Sequence, residues 1–216
     1  MHKVLKNIIT SEDLNYLSTV FDTEPHRHTQ SMEKVDLPLH NEQFFKWAQG
    51  IIENRVDVTE PYVIVGDNFY KHSNSYFPHC DAIESTAWLN IVIPMYQWQP
   101  FGQQKFIVFD QTWTGGPATW IGSCVIQGDF ENNKKRSERP CDGEYFQGGT
   151  DAELPEDVWQ HLNQKYFTQN YFYSMSGTAY DWSPGDIIVF DSQHIHATGK
   201  MQSQSKLGVS IRIAHK

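Results

Sequence analysis

Residues 61–95 read PYVIVGDNFYKHSNSYFPHCDAIESTAWLNIVIPM, and this stretch establishes the class of fold. It contains three short runs rich in Val, Ile, Tyr, Phe and Thr, at 62–69, 75–80 and 86–95. Such runs are typical of strands, and the Gly, Pro, Asp, Asn and Ser residues between them are typical of turns. Several short strands in succession, without helices between them, indicate a sandwich or a barrel.

The same composition continues towards the C-terminus. Further strand-like runs lie at 104–110, 118–126, 170–182, 186–192 and 206–214. A helix that begins near Pro155 interrupts them, because proline is favoured in the first turn of a helix. The long polar segment 127–154 is either a lid over a binding site or an irregular surface insertion.

Two helices are predicted ahead of the strands. Thr10 supplies a capping hydroxyl for a helix over 11–21. A second helix over 41–54 has one apolar face, formed by Phe44, Trp47, Ala48, Ile51 and Ile52. We expect both helices to buttress a sheet, and the polar link His26-Arg27-His28 between them to be a solvated loop.

The length and charge of the chain limit its organisation and its partners. A chain of 216 residues is long enough for one domain with a sizeable core. We expect a single domain over 1–216, with a helical part at 1–60 and a β core at 61–216. The formal net charge of -9 disfavours nucleic acids and anionic membranes, which usually meet a basic face. Small or neutral substrates fit this charge better.

The cysteines and the start of the chain indicate the compartment. Cys80, Cys124 and Cys141 are an odd number without a Cys-x-x-Cys spacing, as in proteins of a reduced compartment. Met1 to Thr10 lack the long apolar run of a signal peptide, and no later stretch approaches the length of a membrane span. We therefore expect a cytoplasmic protein.

His79-Cys80-Asp81 ends the second strand-like run. Alternate residues of a strand point to one face, so the imidazole and the carboxylate can meet one metal ion while Cys80 points away. His194 or His196, far along the chain, would complete a set of two histidines and one carboxylate. This facial triad is the usual ligand set of non-haem iron(II) oxygenases, although the three-residue motif alone is common by chance.

Residues 70–81, YKHSNSYFPHCD, resemble the Tyr-x-x-Gly-x-x-Tyr-x-Pro-His-x-Asp stretch of the prolyl 4-hydroxylase branch of the iron(II)- and 2-oxoglutarate-dependent oxygenases. Both tyrosines, the proline and both ligands match, whereas Ser73 replaces the family's glycine. Residues 184–190, PGDIIVF, resemble the turn and strand before the family's second histidine, and His196-Ala197 fits its His-Ala pair. The iron ligands that the resemblance implies are His79, Asp81 and His196.

Lys206 follows His196 by ten residues, and His194 does not have this spacing. In this superfamily that place holds the basic residue that binds the distal carboxylate of 2-oxoglutarate, and a buried carboxylate needs such a cation. The last strand-like run also resembles the final core strand of the phytanoyl-CoA hydroxylase-like branch. Ser210 and Arg212 share a strand face with Lys206, so Ser210 can hydrogen-bond the same carboxylate and Arg212 is a rival anchor.

Other candidate contacts come from tyrosine, asparagine and tryptophan residues. The resemblance makes Tyr70 and Tyr76 donors to 2-oxoglutarate, although each can equally be a core tyrosine. Asn90 is a polar residue on a strong strand and faces either the cavity or the outer surface. Trp113 lies in turn sequence, where an indole suits substrate recognition.

The resemblance implies a mainly β fold of the cupin-like jelly-roll type, the double-stranded β-helix, with the iron inside its open end. It implies Fe(II) as the metal, 2-oxoglutarate and O2 as cosubstrates, and release of succinate and CO2. The expected reaction is hydroxylation of an unactivated C–H bond, on an amino acid or other small metabolite or on a prolyl residue in a peptide. Asp81 argues against halogenation, because halogenating relatives replace this carboxylate with a small residue.

Two other functions remain open from the sequence. A cupin-like metal enzyme without 2-oxoglutarate would share the barrel and the histidine-rich site, but would be indifferent to replacement of Lys206. A catalytically silent barrel would keep the triad and act as a binding module. An exposed strand edge would also allow a homodimer.

Overall fold

The computed structural model describes residues 2–28, 32–36, 41–72, 76–80, 87–97, 105–112, 118–121, 124–127, 137–140, 177–198 and 205–216. The helices there are α1 (Ser11–Thr23) and α2 (Glu42–Ile51), and a π-helical turn, Ile52–Val56, continues α2. The strands are β1 (His2–Leu5), β2 (Arg27–His28), β3 (Met32–Asp36), β4 (Tyr62–His72), β5 (Tyr76–Cys80), β6 (Ala87–Gln97), β7 (Lys105–Thr112), β8 (Ala118–Ile121), β9 (Cys124–Gln127), β10 (Ser137–Pro140), β11 (Gly177–Asp181), β12 (Ile187–Asp191), β13 (His194–Thr198) and β14 (Lys206–His215).

The described strands form two antiparallel sheets of seven strands each. The first sheet has the order β1-β12-β6-β14-β4-β3-β2, and the second has the order β10-β9-β8-β5-β13-β7-β11. From β4 to β7, and again from β11 to β14, each strand lies in the other sheet from the one before it. This winding is a double-stranded β-helix, so the predicted jelly roll is confirmed.

Local sequence explains where the helices begin. At α1 the Thr10 hydroxyl accepts a hydrogen bond from the Asp13 amide (3.2 Å), and the Asp13 carboxylate accepts one from the Thr10 amide (3.0 Å). This reciprocal cap satisfies amides that the first helical turn leaves unpaired. At α2 the Asn41 side chain accepts from the Phe44 amide (3.0 Å). The π-helical turn ends at Asp57, whose φ of 59° is left-handed.

Both helices pack on the outer face of the first sheet. Their buried side chains are Leu17, Val20, Phe21, Phe44, Ala48 and Ile51. These join one apolar cluster with outward-facing sheet residues, which include Ile91, Ile93, Val209 and Ile211. Helices this short are held by burial of apolar area rather than by intrinsic propensity. The predicted buttress is therefore present outside the barrel.

A second apolar cluster fills the space between the two sheets. Its members are Tyr70, Val92, Phe106, Val108, Trp182, Ile188 and Phe190. Four of these residues carry aromatic rings, so the barrel interior is lined by rings between which polar groups are enclosed. This interior holds the candidate site.

The N-terminal part contributes strands as well as helices. β1 pairs with β12 and β3 pairs with β4, so both extend the first sheet. Their sequences, HKVL and MEKVD, are short and charged, and they become strands because a sheet edge is available to pair with. Arg27 and His28 form β2 and pair with Lys34 and Glu33, which corrects the predicted solvated loop.

Two further expectations concern the long polar segment 127–154 and the helix near Pro155. Within the segment, Ser137–Pro140 forms a strand on β9, so an irregular conformation is wrong at these four residues. The helix near Pro155 lies outside the described residues. In the described part of the chain, no helix is long and apolar enough to cross a membrane.

Candidate active site

β5 and β13 bring two histidines together inside the barrel. His196 stands directly opposite His79, and their ring centroids are 4.2 Å apart. The His196 Nδ1 donates to the carbonyl oxygen of His194 (3.1 Å), since a carbonyl can only accept. Its Nε2 is therefore the atom with a lone pair for a metal. The third predicted ligand, Asp81, directly follows β5 and lies outside the described residues.

His194 has different surroundings from His196. Its Nδ1 donates to the carbonyl oxygen of Phe109 (2.7 Å), and its ring meets the His2 ring edge-on at 5.3 Å. The register of β13 on β7 shifts between the two histidines. Burial lowers the pKa of His194. The register on β5 places His196 beside His79.

Lys206 is completely buried, with 0% of its surface exposed. Its Nζ lies 4.0 Å from the ring centre of Trp182 and 5.4 Å from that of Phe106. No described residue is a hydrogen-bond partner of this nitrogen, and burial lowers the pKa of the amine well below its ordinary value. Aromatic faces alone compensate a buried ammonium incompletely, and a bound carboxylate would keep it charged.

The Phe106 ring lies near both this amine and the paired histidines. Its centroid is 5.4 Å from the Lys206 Nζ and 5.7 Å from the His196 ring centroid. Both groups therefore border one interior space. A small dicarboxylate can pair with Lys206 at one end while its other end meets a metal held by the histidines. The residues present thus fit iron with 2-oxoglutarate.

Among the other residues predicted to contact 2-oxoglutarate, the structure describes the side chains of Tyr70 and Ser210. Tyr70 and Ser210 are buried on the interior face, and Tyr70 packs edge-on against His72 at 5.2 Å. Tyr70 stands opposite Gly208, which is two residues after Lys206 on β14. The Tyr76 side chain lies outside the described residues, and so does all of Trp113.

Arg212 lies towards the other end of β14 from Lys206. Its guanidinium covers Gly66, where a Cβ would come within 2.9 Å of the arginine Nε and Nη2. Arg212 follows Lys206 by six positions, which corresponds to about 20 Å along a strand. Lys206, enclosed by two rings, suits a small buried carboxylate better than the partly exposed Arg212. Asn90 stands opposite Arg212 and is fully buried on the interior face.

Trp182 is a site residue that sequence reasoning missed. It is 1% exposed, and its indole Nε1 donates to the carbonyl oxygen of Tyr96 (3.1 Å). Gly208 makes room for it, because a Cβ there would lie 2.6 and 2.7 Å from two ring carbons of Trp182. A glycine within a strand, two residues after Lys206, is the weak signal that marked this close approach.

The fold places the chain in a known structural class of proteins. The chain has the fold of the iron(II)- and 2-oxoglutarate-dependent oxygenases, as its motifs predicted. HygX from Streptomyces hygroscopicus, crystallised with nickel and 2-oxoglutarate bound, matches over 100% of this chain and 83% of its own, at 12% identity and a TM-score of 0.58. A Pseudomonas putida prolyl-4-hydroxylase matches over 100% of this chain and 92% of its own, at 9% identity and a TM-score of 0.52.

A third similar structure is a 2OG-Fe(II) oxygenase family oxidoreductase from Burkholderia pseudomallei. It matches over 99% of this chain and 84% of its own, at 9% identity and a TM-score of 0.55. No protein-family model matches the chain, and no curated protein matches it in sequence. At these identities the similarity shows the fold. HygX has also been crystallised with iron, so metal and cosubstrate in these structures are those predicted here.

Proposed function

We propose that the chain is an iron(II)- and 2-oxoglutarate-dependent oxygenase that hydroxylates an unactivated C–H bond. His79, Asp81 and His196 would hold the iron, and Lys206 would bind the distal carboxylate of 2-oxoglutarate. The observation that carries this proposal is the buried Lys206 amine. It has no hydrogen-bond partner among the described residues, and it lies near the same aromatic ring, Phe106, as His196.

Each of these side chains has a definite task. The imidazoles supply neutral nitrogen ligands, and the contact of the His196 Nδ1 with the His194 carbonyl fixes which nitrogen meets the metal. Lys206 orients the cosubstrate by an ion pair, and the Trp182 and Phe106 rings exclude water from that pair. When bound, iron and 2-oxoglutarate supply the oxidation by O2, with succinate and CO2 as coproducts.

The buried amine favours this function over a cupin-like metal enzyme that does not use 2-oxoglutarate. Such an enzyme would offer Lys206 no anion, and the amine would remain a destabilising group in an apolar cage. The fold similarity supports the same choice, because HygX binds 2-oxoglutarate.

As substrate we propose a small metabolite, such as an amino acid, or a prolyl residue of a peptide, met in the cytoplasm. The net charge of -9 supports this class over nucleic acids. Among similar folds, one HygX structure contains hygromycin B and another protein is a prolyl-4-hydroxylase.

The test is an anaerobic titration of the metal-free protein with Fe(II) and 2-oxoglutarate, followed by the visible charge-transfer band of the chelate. We expect a band in the unaltered protein and none in His196→Ala. Lys206→Ala should need at least about tenfold more 2-oxoglutarate, because it loses a charge-assisted contact. His28→Ala and Lys3→Ala are matched controls, since both side chains are exposed.

The outcomes separate the three functions. Iron binding without a 2-oxoglutarate band would refute the proposal in favour of a cupin-like metal enzyme. A band with no succinate formed under O2, with or without candidate substrates, would point to a silent binding module. A band together with succinate release supports the oxygenase.

A further inference from the structure

A second polar group lies on the interior face of the first sheet. Arg212 on β14 stands opposite Gly66 on β4 and Asn90 on β6, and Asn90 stands opposite Phe190 on β12. Directly opposite residues of antiparallel strands project to one face. These four residues therefore form one row across the sheet, which we call the mouth row because it lies at the end where β5 stops and β6 starts.

Asn90 is the buried polar member of the mouth row. It is 0% exposed, and neither its Oδ1 nor its Nδ2 has a hydrogen-bond partner in the described part of the chain. A side-chain amide buried in this way is destabilising, and native proteins nearly always give such a group a partner. An interior ligand would supply both the donor and the acceptor that it lacks.

Arg212 is the cationic member of the mouth row. Its guanidinium lies over Gly66, and within the described ranges no hydrogen bond or ion pair holds it. Its charge acts on the nearby Asp67, but burial outweighs that attraction and keeps the pKa of Asp67 raised. A planar guanidinium with free donors can bind a carboxylate through two parallel hydrogen bonds.

The mouth row lies near His196 through Phe190, a different ring from the one beside Lys206. The Phe190 ring lies 4.8 Å from the His196 ring, whereas the Lys206 amine and His196 share the Phe106 ring as a neighbour. Arg212 and Lys206 are about 20 Å apart along β14 by residue count, which is too far for one 2-oxoglutarate molecule to contact both. The mouth row is therefore available to a second molecule.

We infer that Asn90 and Arg212 bind the primary substrate, and that this substrate is a small molecule with a carboxylate. Arg212 pairs with the carboxylate, and the Asn90 amide hydrogen-bonds a neighbouring polar group, such as an α-amino group. The inference rests on the proposed function for the reaction that follows, but the binding step needs neither O2 nor turnover.

The test is direct binding to the protein loaded with nickel and 2-oxoglutarate. The probes are the common L-amino acids and their primary amides, which lack the carboxylate, and bound ligand is measured by equilibrium dialysis. We expect acids to bind and their amides to bind at least about tenfold more weakly, with the preference lost in Arg212→Met and partly kept in Arg212→Lys. Lys3→Met, which removes an exposed charge, should keep the preference.

A second readout needs no ligand. Asn90→Leu should raise the melting temperature of the empty protein, because it replaces an unpartnered buried amide with an apolar side chain. A large loss of stability in Asn90→Leu would make the asparagine structural and overturn its role in binding.

The results that would contradict this inference differ from the results that would contradict the proposed function. Equal binding of acids and amides, or no binding of any acid, would overturn the inference even with the 2-oxoglutarate band intact. A loss of 2-oxoglutarate affinity in Arg212→Met as large as in Lys206→Ala would instead make Arg212 the cosubstrate anchor. Absence of the band in the unaltered protein would refute the proposed function alone.

Discussion

Lys206 is a destabilising residue while no anion is bound. Burial lowers the pKa of its amine well below 10.5 in the folded protein, so the unfolded chain binds more protons in the pH range between the folded and the unfolded pKa. Stability therefore rises with pH until the unfolded amine also loses its proton. Lys206→Met should stabilise the empty protein by about 1–3 kcal/mol at pH 7, measured by urea unfolding. This gain should shrink as the pH approaches 10.5, and its absence would show that the amine already has a partner.

Asp67 should make stability change with pH in the opposite direction from Lys206. Burial raises the pKa of this carboxyl from 3.8 to about 6, against the attraction of Arg212. The folded protein therefore holds the proton more tightly, and stability falls as the pH rises from 3.8 to about 6. Asp67→Asn should be more stable than the unaltered protein at pH 7.5 by up to about 3 kcal/mol. Thermal unfolding below pH 4 is the control, where the two proteins should differ little.

β14 carries Lys206, the proposed anchor, on one face and core residues on the other. On the interior face, Gly208 admits the Trp182 indole, which lies against the Lys206 amine. Trp182→Leu and Gly208→Ala should each raise the 2-oxoglutarate needed for the chelate band by about tenfold, because the amine loses its cation–π contact or is displaced. Trp182→Phe should raise this 2-oxoglutarate requirement by a smaller factor.

Val209→Ala is the matched control for this strand. Val209 is fully buried on the outer face, so its truncation lowers stability without touching the Lys206 cage. The affinity for iron should be unchanged in all four variants of this strand and its cage, namely Trp182→Leu, Trp182→Phe, Gly208→Ala and Val209→Ala. An unchanged 2-oxoglutarate requirement in Trp182→Leu would show that the indole does not position the amine.

Across the chain, the helices, the first sheet and the inter-sheet core are joined through shared apolar clusters. We therefore expect residues 1–216 to unfold as one domain in a single thermal transition. Nickel with 2-oxoglutarate should shift that transition upwards, by about 2.7 kcal/mol of stability at a hundredfold excess over the dissociation constant. Calorimetry with two separated transitions would contradict the single domain, and the lack of a shift in Lys206→Met would support Lys206 as the proposed anchor.

Local patterns predicted the helices, most of the core strands and the class of fold. α1 begins at its Thr10 cap, and the alternation around His79 and the spacing of His196 to Lys206 can be counted along the chain. β1 and β3 escaped prediction because short charged segments become strands only when an edge is there to pair with.

The chain alone also specified which chemical groups are present: two histidines, a carboxylate and a lysine at the spacing of an iron and 2-oxoglutarate site. Their arrangement depends on strand register, which no local pattern records. Register sets His196 against His79 and sets Asn90 directly opposite Arg212 in the pairing of β6 with β14. The packing of the two sheets brings Trp182 and Phe106 around Lys206. These contacts join residues far apart in the chain, so the free energy that selects them is a property of the packed barrel as a whole.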